Sequence, residues 1–391
     1  MIGFITKLKQ RTPLGWLQLR HDKTRLAVAI AGITFADILI FMQLGFMGAL
    51  FESNVKLHRQ IDADIVLLSP QARNLSNLST FPRRRLYQSM DVPGIQSADA
   101  LYIGFTDWKH PTTQKKTSML LVGMNPDRPA FMLPEVSQNR DRMKLPDTLL
   151  FDRGTRGDYT DLIAQLEQGQ TATTEIDKRT VTIDGLFEVG ASFTTDGVLM
   201  TSDQNFLRLF GRREASTVNL GLVKVEPGAD LEQIVATLNA QLPEDVQALT
   251  QEGFVTFETD YIKKNSAISF VFSLGAVMGF IVGVVIVYQI LSTDVNDHMA
   301  EYATFKAMGY RHRYLLGVIF EEAVILAALG FLPGVGVSLG LYKLTSAATA
   351  LPLAMDLGRV LIVFTLTLVM CNVSGVVATR RLQSADPADI F

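Results

Sequence analysis

Two long apolar runs separated by a short charged stretch constrain this chain more than any other feature. The first, Ile268 to Leu291, has no charged side chain, and the second, Leu315 to Leu341, has only Glu321 and Glu322 near its start. A bilayer core is about 30 Å thick and takes about 20 apolar residues of helix to cross. Both runs meet that length. Residues 294–314 between them, DVNDHMAEYATFKAMGYRHRY, carry both charge signs and no Gly or Pro before Gly309. The pattern predicts a short amphipathic segment on one membrane face, where another protein can push on it.

The chain has 391 residues, 48% of them hydrophobic and 19% charged, which is apolar for a soluble protein yet too polar for spans alone. A membrane protein with one large water-exposed domain fits both values. The net charge of −3 gives no basic signature for nucleic acid. The single cysteine, Cys371, excludes a disulfide within the chain and a Cys-based zinc site. Histidines at 21, 58, 110, 298 and 312 are too scattered for metal-ligand spacing, so no metal is expected.

Residues 1–25 read as a basic amphipathic segment at the interface, with Trp16 among Lys and Arg. The apolar run Leu26–Phe51 is longer than the ~7–15 residues of a signal-peptide core and has no Ala-x-Ala after it, so it reads as a retained first span. Asp37 lies near its middle. A carboxylate there costs about 3 kcal/mol and should face protein or water, either as a structural hydrogen bond to a neighbouring helix or as a functional contact. Residues 52–267 form a water-exposed domain. Strands are predicted at Ala63–Leu68, Ala100–Thr106, Thr117–Met124, Leu149–Phe151, Thr180–Val189 and Val198–Thr201. Ser202 caps a helix over 203–210. Strand Val218–Val225, helix Asp230–Leu242 and strand Gly253–Phe257 make a βαβ-type unit. The economical arrangement is an α+β subdomain built from both ends, with a β-rich insert over about 130–215. Three consecutive arginines, 83–85, point in different directions on a helix and are ordinarily solvated. Thr259 and Asp260 are expected to cap a helix that runs unbroken into the second span (268–293), a stiff connection to the membrane.

Gly275, Gly279 and Gly283 recur at intervals of four in the second span. They align on one helix face, with a homodimer seam as the first expectation and packing within one subunit as the alternative. The third span (315–341) carries Gly330, Gly334, Gly336, Gly340 and Pro333, which suggests a bend. An outer loop, 342–359, precedes the fourth span, 360–379, and a tail, 380–391. Basic residues crowd the N-terminal flank, the 294–314 hinge and Arg380–Arg381, so both termini and the hinge are expected in the cytoplasm. No Gly-x4-Gly-Lys-Ser/Thr, Gly-x-Ser-x-Gly or His-Glu-x-x-His occurs, so no catalytic residues are expected in this chain.

One span, a large outer domain and then three spans is a layout that resembles the MacB/FtsX-like permease family of ABC transporters. Glu301-Tyr302-Ala-Thr-Phe-Lys306-Ala-Met-Gly309 resembles that family's cytoplasmic coupling segment. Phe320-Glu-Glu322 is similar to the acidic start of its third span, and Asp386-Pro387 to its C-terminal Asp-Pro. Leu149-Leu-Phe-Asp-Arg-Gly resembles the DevC-type branch. The resemblance implies an α+β membrane protein with four transmembrane helices. Between helices 1 and 2 it implies a large extracytoplasmic α+β domain, a MacB-like porter plus the β-rich insert. It implies a homodimer, with ATP and Mg on a separate ABC ATPase that docks at Met299, Glu301, Tyr302, Lys306, Gly309 and Arg311. The DevC-type branch further implies a membrane-fusion adaptor, a TolC-like outer-membrane protein and export of (glyco)lipid from a bacterial, cyanobacterial inner membrane. An FtsX-like regulator of a cell-wall hydrolase and a lipoprotein-releasing permease share this layout.

Overall fold

The computed structural model describes residues 22–128, 130–299, 301, 304, 308 and 312–384. It divides into two compact units. One comprises Met1–Gly48, Ala267–Thr345 and Leu353–Phe391, and the other Ala49–Ser266 and Ser346–Pro352.

The first unit is built on four helices, Lys23–Arg59, Ala267–Asp297, His312–Thr349 and Leu357–Ser384. Each contains a stretch long and apolar enough to cross a membrane, as the sequence led us to expect. Apolar residues surround these helices on all sides, which is the pattern of a helix solvated by lipid. On the second, Phe270, Leu274, Val277, Ile281 and Val285 stay exposed. Inside, the helices meet through small side chains: Ala29, Ala36, Ala323, Ala327, Cys371 and Ala378 are buried together. Lipid tails are as apolar as leucine, so close approach and hydrogen bonds, not water exclusion, hold such a bundle. Thr34 donates to the Gly330 carbonyl at 3.0 Å and Ser374 to the Val284 carbonyl at 2.8 Å. Pro333 lies within the third helix.

The three glycines of the second helix look inward. A Cβ on Gly275 would meet Gln43 at 2.5 Å, one on Gly279 would meet Ile40 at 3.1 Å, and one on Gly283 would strike Met370 and Ala36. Their face is consumed by the first and fourth helices of the same chain. The homodimer seam expected there is corrected to packing within the subunit.

The second unit is α+β. Its strands are β1 (Ile65–Leu68), β2 (Phe81–Pro82), β3 (Ile95–Lys109), β4 (Lys116–Met124), β5 (Thr148–Asp152), β6 (Ala172–Ile176), β7 (Arg179–Phe187), β8 (Val198–Ser202), β9 (Thr217–Val218), β10 (Leu220–Val225) and β11 (Gln247–Thr250). Nine of them form one sheet in the order β11-β1-β10-β3-β4-β8-β5-β7-β6, and β2 pairs with β9 apart from it. The fifteen-residue β3 serves two neighbourhoods. Its first half, Ile95–Leu101, pairs with β10, and its second half, Leu101–Lys109, pairs with β4. At the far end Trp108 bridges to Ile176 of β6, so β3, β4, β8, β5, β7 and β6 close into a ring. The β-rich segment thus extends the common sheet and is not a detached body. Trp108, Phe151, Ile176 and Leu199 fill one face of this continuous core.

Several elements agree with the sequence and two do not. Ser202 accepts from the Asn205 amide at 3.2 Å and caps helix Asp203–Leu209. Asp230 accepts from Glu232 and Gln233 and caps helix Leu231–Gln241. The strand that completes this unit is Gln247–Thr250, not Gly253–Phe257. The reason is Thr250, whose hydroxyl accepts from the Gly253 amide at 3.0 Å and opens a helix, Gln251–Asn265, across the predicted strand. Thr259 is then mid-helix, donating to the Val255 carbonyl at 2.8 Å, and caps nothing. This helix also stops before the membrane. Ser266 is extended (φ −84°, ψ 116°) and a new helix starts at Ala267. Asn265 and Ser266 are poor helix formers whose side chains compete for backbone hydrogen bonds. The unbroken rod expected from Thr259 to Leu291 is therefore interrupted.

Candidate coupling site

The polar residues of the membrane unit fall into two places. The first is around Asp37, fully buried on the first helix. Thr367 of the fourth helix donates to Asp37 Oδ1 at 2.6 Å. Gly334 of the third helix lets that helix close in, since a Cβ there would lie 3.0 Å from Asp37 Cβ. Asp37 thus bonds to the fourth helix and packs against the third, while its buried Oδ2 has no hydrogen-bond partner among the described residues.

The second place lies where the second helix gives way to residues 294–314. Asp294 and Asp297 are one turn apart, and Arg25 of the first helix reaches both. Its Nη1 donates to Asp294 Oδ1 at 3.2 Å, and its Nη2 donates to Asp297. His298 Nδ1 lies 3.5 Å from the same Asp294 oxygen. Glu322, only 1% exposed on the third helix, places its carboxyl against that of Asp294. One guanidinium therefore pairs with Asp294 and Asp297 of the second helix and lies 3.8 Å from Asp22 beside its own helix, with Glu322 behind Asp294. A buried carboxylate pair without a cation would be costly, so Arg25 holds the start of the charged segment against the bundle.

Glu322 thus has a defined neighbourhood, which the sequence did not reveal. Arg25, Asp294, Asp297 and His298 were not singled out either. The available signal was an Asp-x-x-Asp-His pattern at the end of an apolar run, with an arginine at the start of another. Of the residues matched to the coupling segment, Met299 is half-buried and Glu301 is helical and exposed. Tyr302, Lys306, Gly309 and Arg311 lie outside the described residues. Met308 is exposed. Among the described residues no group of His, Cys, Asp and Glu side chains is placed to hold a metal ion.

Residues 273–387, which include this site, match the family model for the FtsX-like permease C-terminal domain. This stretch carries an FtsX-like permease domain. Curated relatives support the MacB/FtsX-like family. The macrolide export ATP-binding/permease protein MacB of Burkholderia cenocepacia is 25% identical over 188 residues, 46% of this chain and 27% of that protein. The pyoverdine export ATP-binding/permease protein PvdT of Pseudomonas fluorescens is 25% identical over 204 residues, 51% of this chain and 30% of that protein. The match thus spans less than a third of either relative's length. Among solved structures, the periplasmic region of MacB from Actinobacillus actinomycetemcomitans is similar, with a TM-score of 0.35 at 12% identity. It covers 53% of this chain and 96% of that one. The extracellular domain of YknZ from Gram-positive bacteria gives 0.32 at 12% identity, over 48% of this chain and 100% of that one. The Asp294–Glu322 cluster and the exposed Glu301 lie inside the FtsX-like domain, while Arg25 and Asp37 reach it from outside.

Proposed function

We propose that this chain is the permease subunit of an ABC exporter, driven by a separate cytoplasmic ATPase that docks on residues 294–314. The observation that carries this reading is the FtsX-like match over 273–387, which spans the second helix, the charged segment and the last two helices. The export functions named for MacB and PvdT support it. On this reading ATP and Mg bind the partner, the subunit is a homodimer in an inner membrane, and both termini and the hinge are cytoplasmic. The domain within 49–266 is then extracytoplasmic. The finer DevC-type assignment adds a membrane-fusion adaptor, a TolC-like duct and a (glyco)lipid cargo; its support is the Leu149–Gly154 resemblance alone.

Arg25 has a role in this scheme. When the ATPase dimer closes, the force on the segment after Asp297 passes through the Arg25 ion pairs to the first helix and through Glu322 to the third. Affinity capture of the intact subunit from its native membrane should bring down a nucleotide-binding protein. Glu301→Lys should remove that protein while the membrane subunit stays folded. Unchanged capture and unchanged export would refute docking at this segment. A second reading, an FtsX-like regulator that passes force to a cell-wall hydrolase, fits the same family match; a hydrolase in the captured complex and no adaptor would favour it.

A further inference from the structure

The β-ring of the domain within 49–266 carries a cleft of about 680 Å³, lined by none of the residues of the coupling site. Its walls come from the second half of β3, the start of β4, the β6–β7 turn and the turn after helix Asp203–Leu209. Five cations and three carboxylates line it, with Leu209 and Phe210 as an apolar side. Two of the carboxylates are paired with lysines and the third, Asp177, keeps its charge, which leaves the cations in excess by two. Lys109 pairs with Glu175, Lys116 lies 3.4 Å from Asp107, and Asp177 accepts from Thr106 at 3.4 Å. The remaining cations are not fully neutralised. Lys178 and Arg212 have no partner among the described residues.

Arg213 forms the floor. Its guanidinium lies 5.4 Å from the Phe206 ring centre and 5.7 Å from that of Tyr102, and it donates to the Ile103 carbonyl and to Asn219. Those partners are neutral, and its buried Nε has none among the described residues. A half-buried charge held by neutral acceptors gains from an anion. Lys178 occupies the left-handed region at φ 69°, in the two-residue turn Asp177–Lys178 that joins β6 to β7.

We propose that this cleft binds a small phosphate-bearing ligand, a phosphate monoester or a lipid-headgroup phosphate, with Lys178 and Arg212 as its contacts and Arg213 beneath. A phosphate offers several oxygens to donors that converge from different walls, and arginine forks match two of them at once. The volume admits more than the phosphate, and Phe210 gives the attached carbon chain an apolar neighbour. This inference stands apart from the exporter reading, because no residue of the 294–314 segment enters it.

The test uses the full chain in dodecyl maltoside micelles, which carry no phosphate, titrated calorimetrically with glycerol 1-phosphate and, as the uncharged control, glycerol. The expected result is saturable binding of the phosphate alone, weakened at least tenfold in the Lys178→Gln/Arg212→Gln double variant. Both side chains are exposed, so the variant should fold as the parent does. Nanodiscs containing phosphatidylglycerol separate the sources. Competition against glycerol 1-phosphate identifies the headgroup, and no competition identifies a soluble phosphate; either supports the site. No binding in the parent protein, or equal binding in the double variant, overturns it.

Discussion

Asp152 ends β5 with no exposed surface, and its carboxylate accepts from the amides of Gly154 (2.9 Å), Val189 (3.0 Å) and Gly190 (2.8 Å). Burial pushes its carboxyl above the usual range while the three amides pull the other way. Gly154 is obligatory beside it, because a Cβ would come within 2.6 Å of Gly190 Cα. The Leu149–Gly154 run that resembles a family motif is thus a staple between the ends of β5 and β7. Asp152→Ala strands one buried and two part-buried donors and should cost about 3 kcal/mol, read as a lowered unfolding midpoint in denaturant. Of the three arginines at 83–85, Arg85 departs from the solvated expectation. It is 6% exposed and donates from Nε and Nη2 to Asp245 at 2.8 and 2.7 Å. That hydrogen bond holds the Asp245 carboxyl below its ordinary value. A depressed carboxyl stabilises the fold above the unfolded pKa of about 4, and the contribution is lost as pH falls through the lower folded value. Asp245→Asn should therefore flatten the acid side of the stability profile below about pH 4 and change its shape little at pH 7. Asp245 is well exposed, so solvent screening keeps the effect modest.

At the scale of elements, the membrane helices were legible because a run of apolar residues has few other fates, and the glycine spacing correctly announced a contact face. What spacing cannot say is which partner fills the face. Gly283→Val should overpack the contact with Met370 and Ala36 and destabilise by about 2 kcal/mol. Gly340→Ala, where an added Cβ meets nothing within 4 Å, should be neutral or stabilising by under about 1 kcal/mol. Thermal unfolding in detergent distinguishes the two. Strands β1, β3, β4, β5, β7 and β8 were read from their alternation or β-branched content. The segment 251–265 departs from the sequence pattern because Gly253–Phe257 suits a strand locally, and the Thr250 cap outweighs that preference. The pairing of Arg25 with this cluster was not legible for another reason: Arg25 lies 269 residues before Asp294 in the chain, and no single sequence carries that pairing. Arg25→Gln should leave Asp294, which lies against Glu322, without its guanidinium and cost about 2 kcal/mol, less than a fully buried pair because Arg25 is 26% exposed. Asp297, half exposed, should tolerate Asn at under about 1 kcal/mol.

For the whole molecule, the chain passes between the two units four times. Two passages lie inside continuous helices, Lys23–Arg59 and His312–Thr349; the others lie at Ser266 and after Pro352, outside helices. If displacement travels from 294–314 to the domain within 49–266, the continuous helices carry it. Ala49→Pro removes a helical hydrogen bond and introduces a ring clash, at about 3 kcal/mol. It should reduce export while leaving ATPase capture intact. Ser266→Gly falls at an existing joint and should leave export near the parent level. Equal loss in both variants would place the load path elsewhere.

The bridge between Trp108 and Ile176 also has a bearing on biogenesis. Until the segment containing Ile176 has been synthesised and has folded back, β3 presents a raw border on which foreign strands can nucleate. Non-local pairings of this kind form late. The newly made polypeptide therefore passes through a window of vulnerability whose length is set by the sixty-seven residues between those two positions, and chaperone dependence should concentrate there.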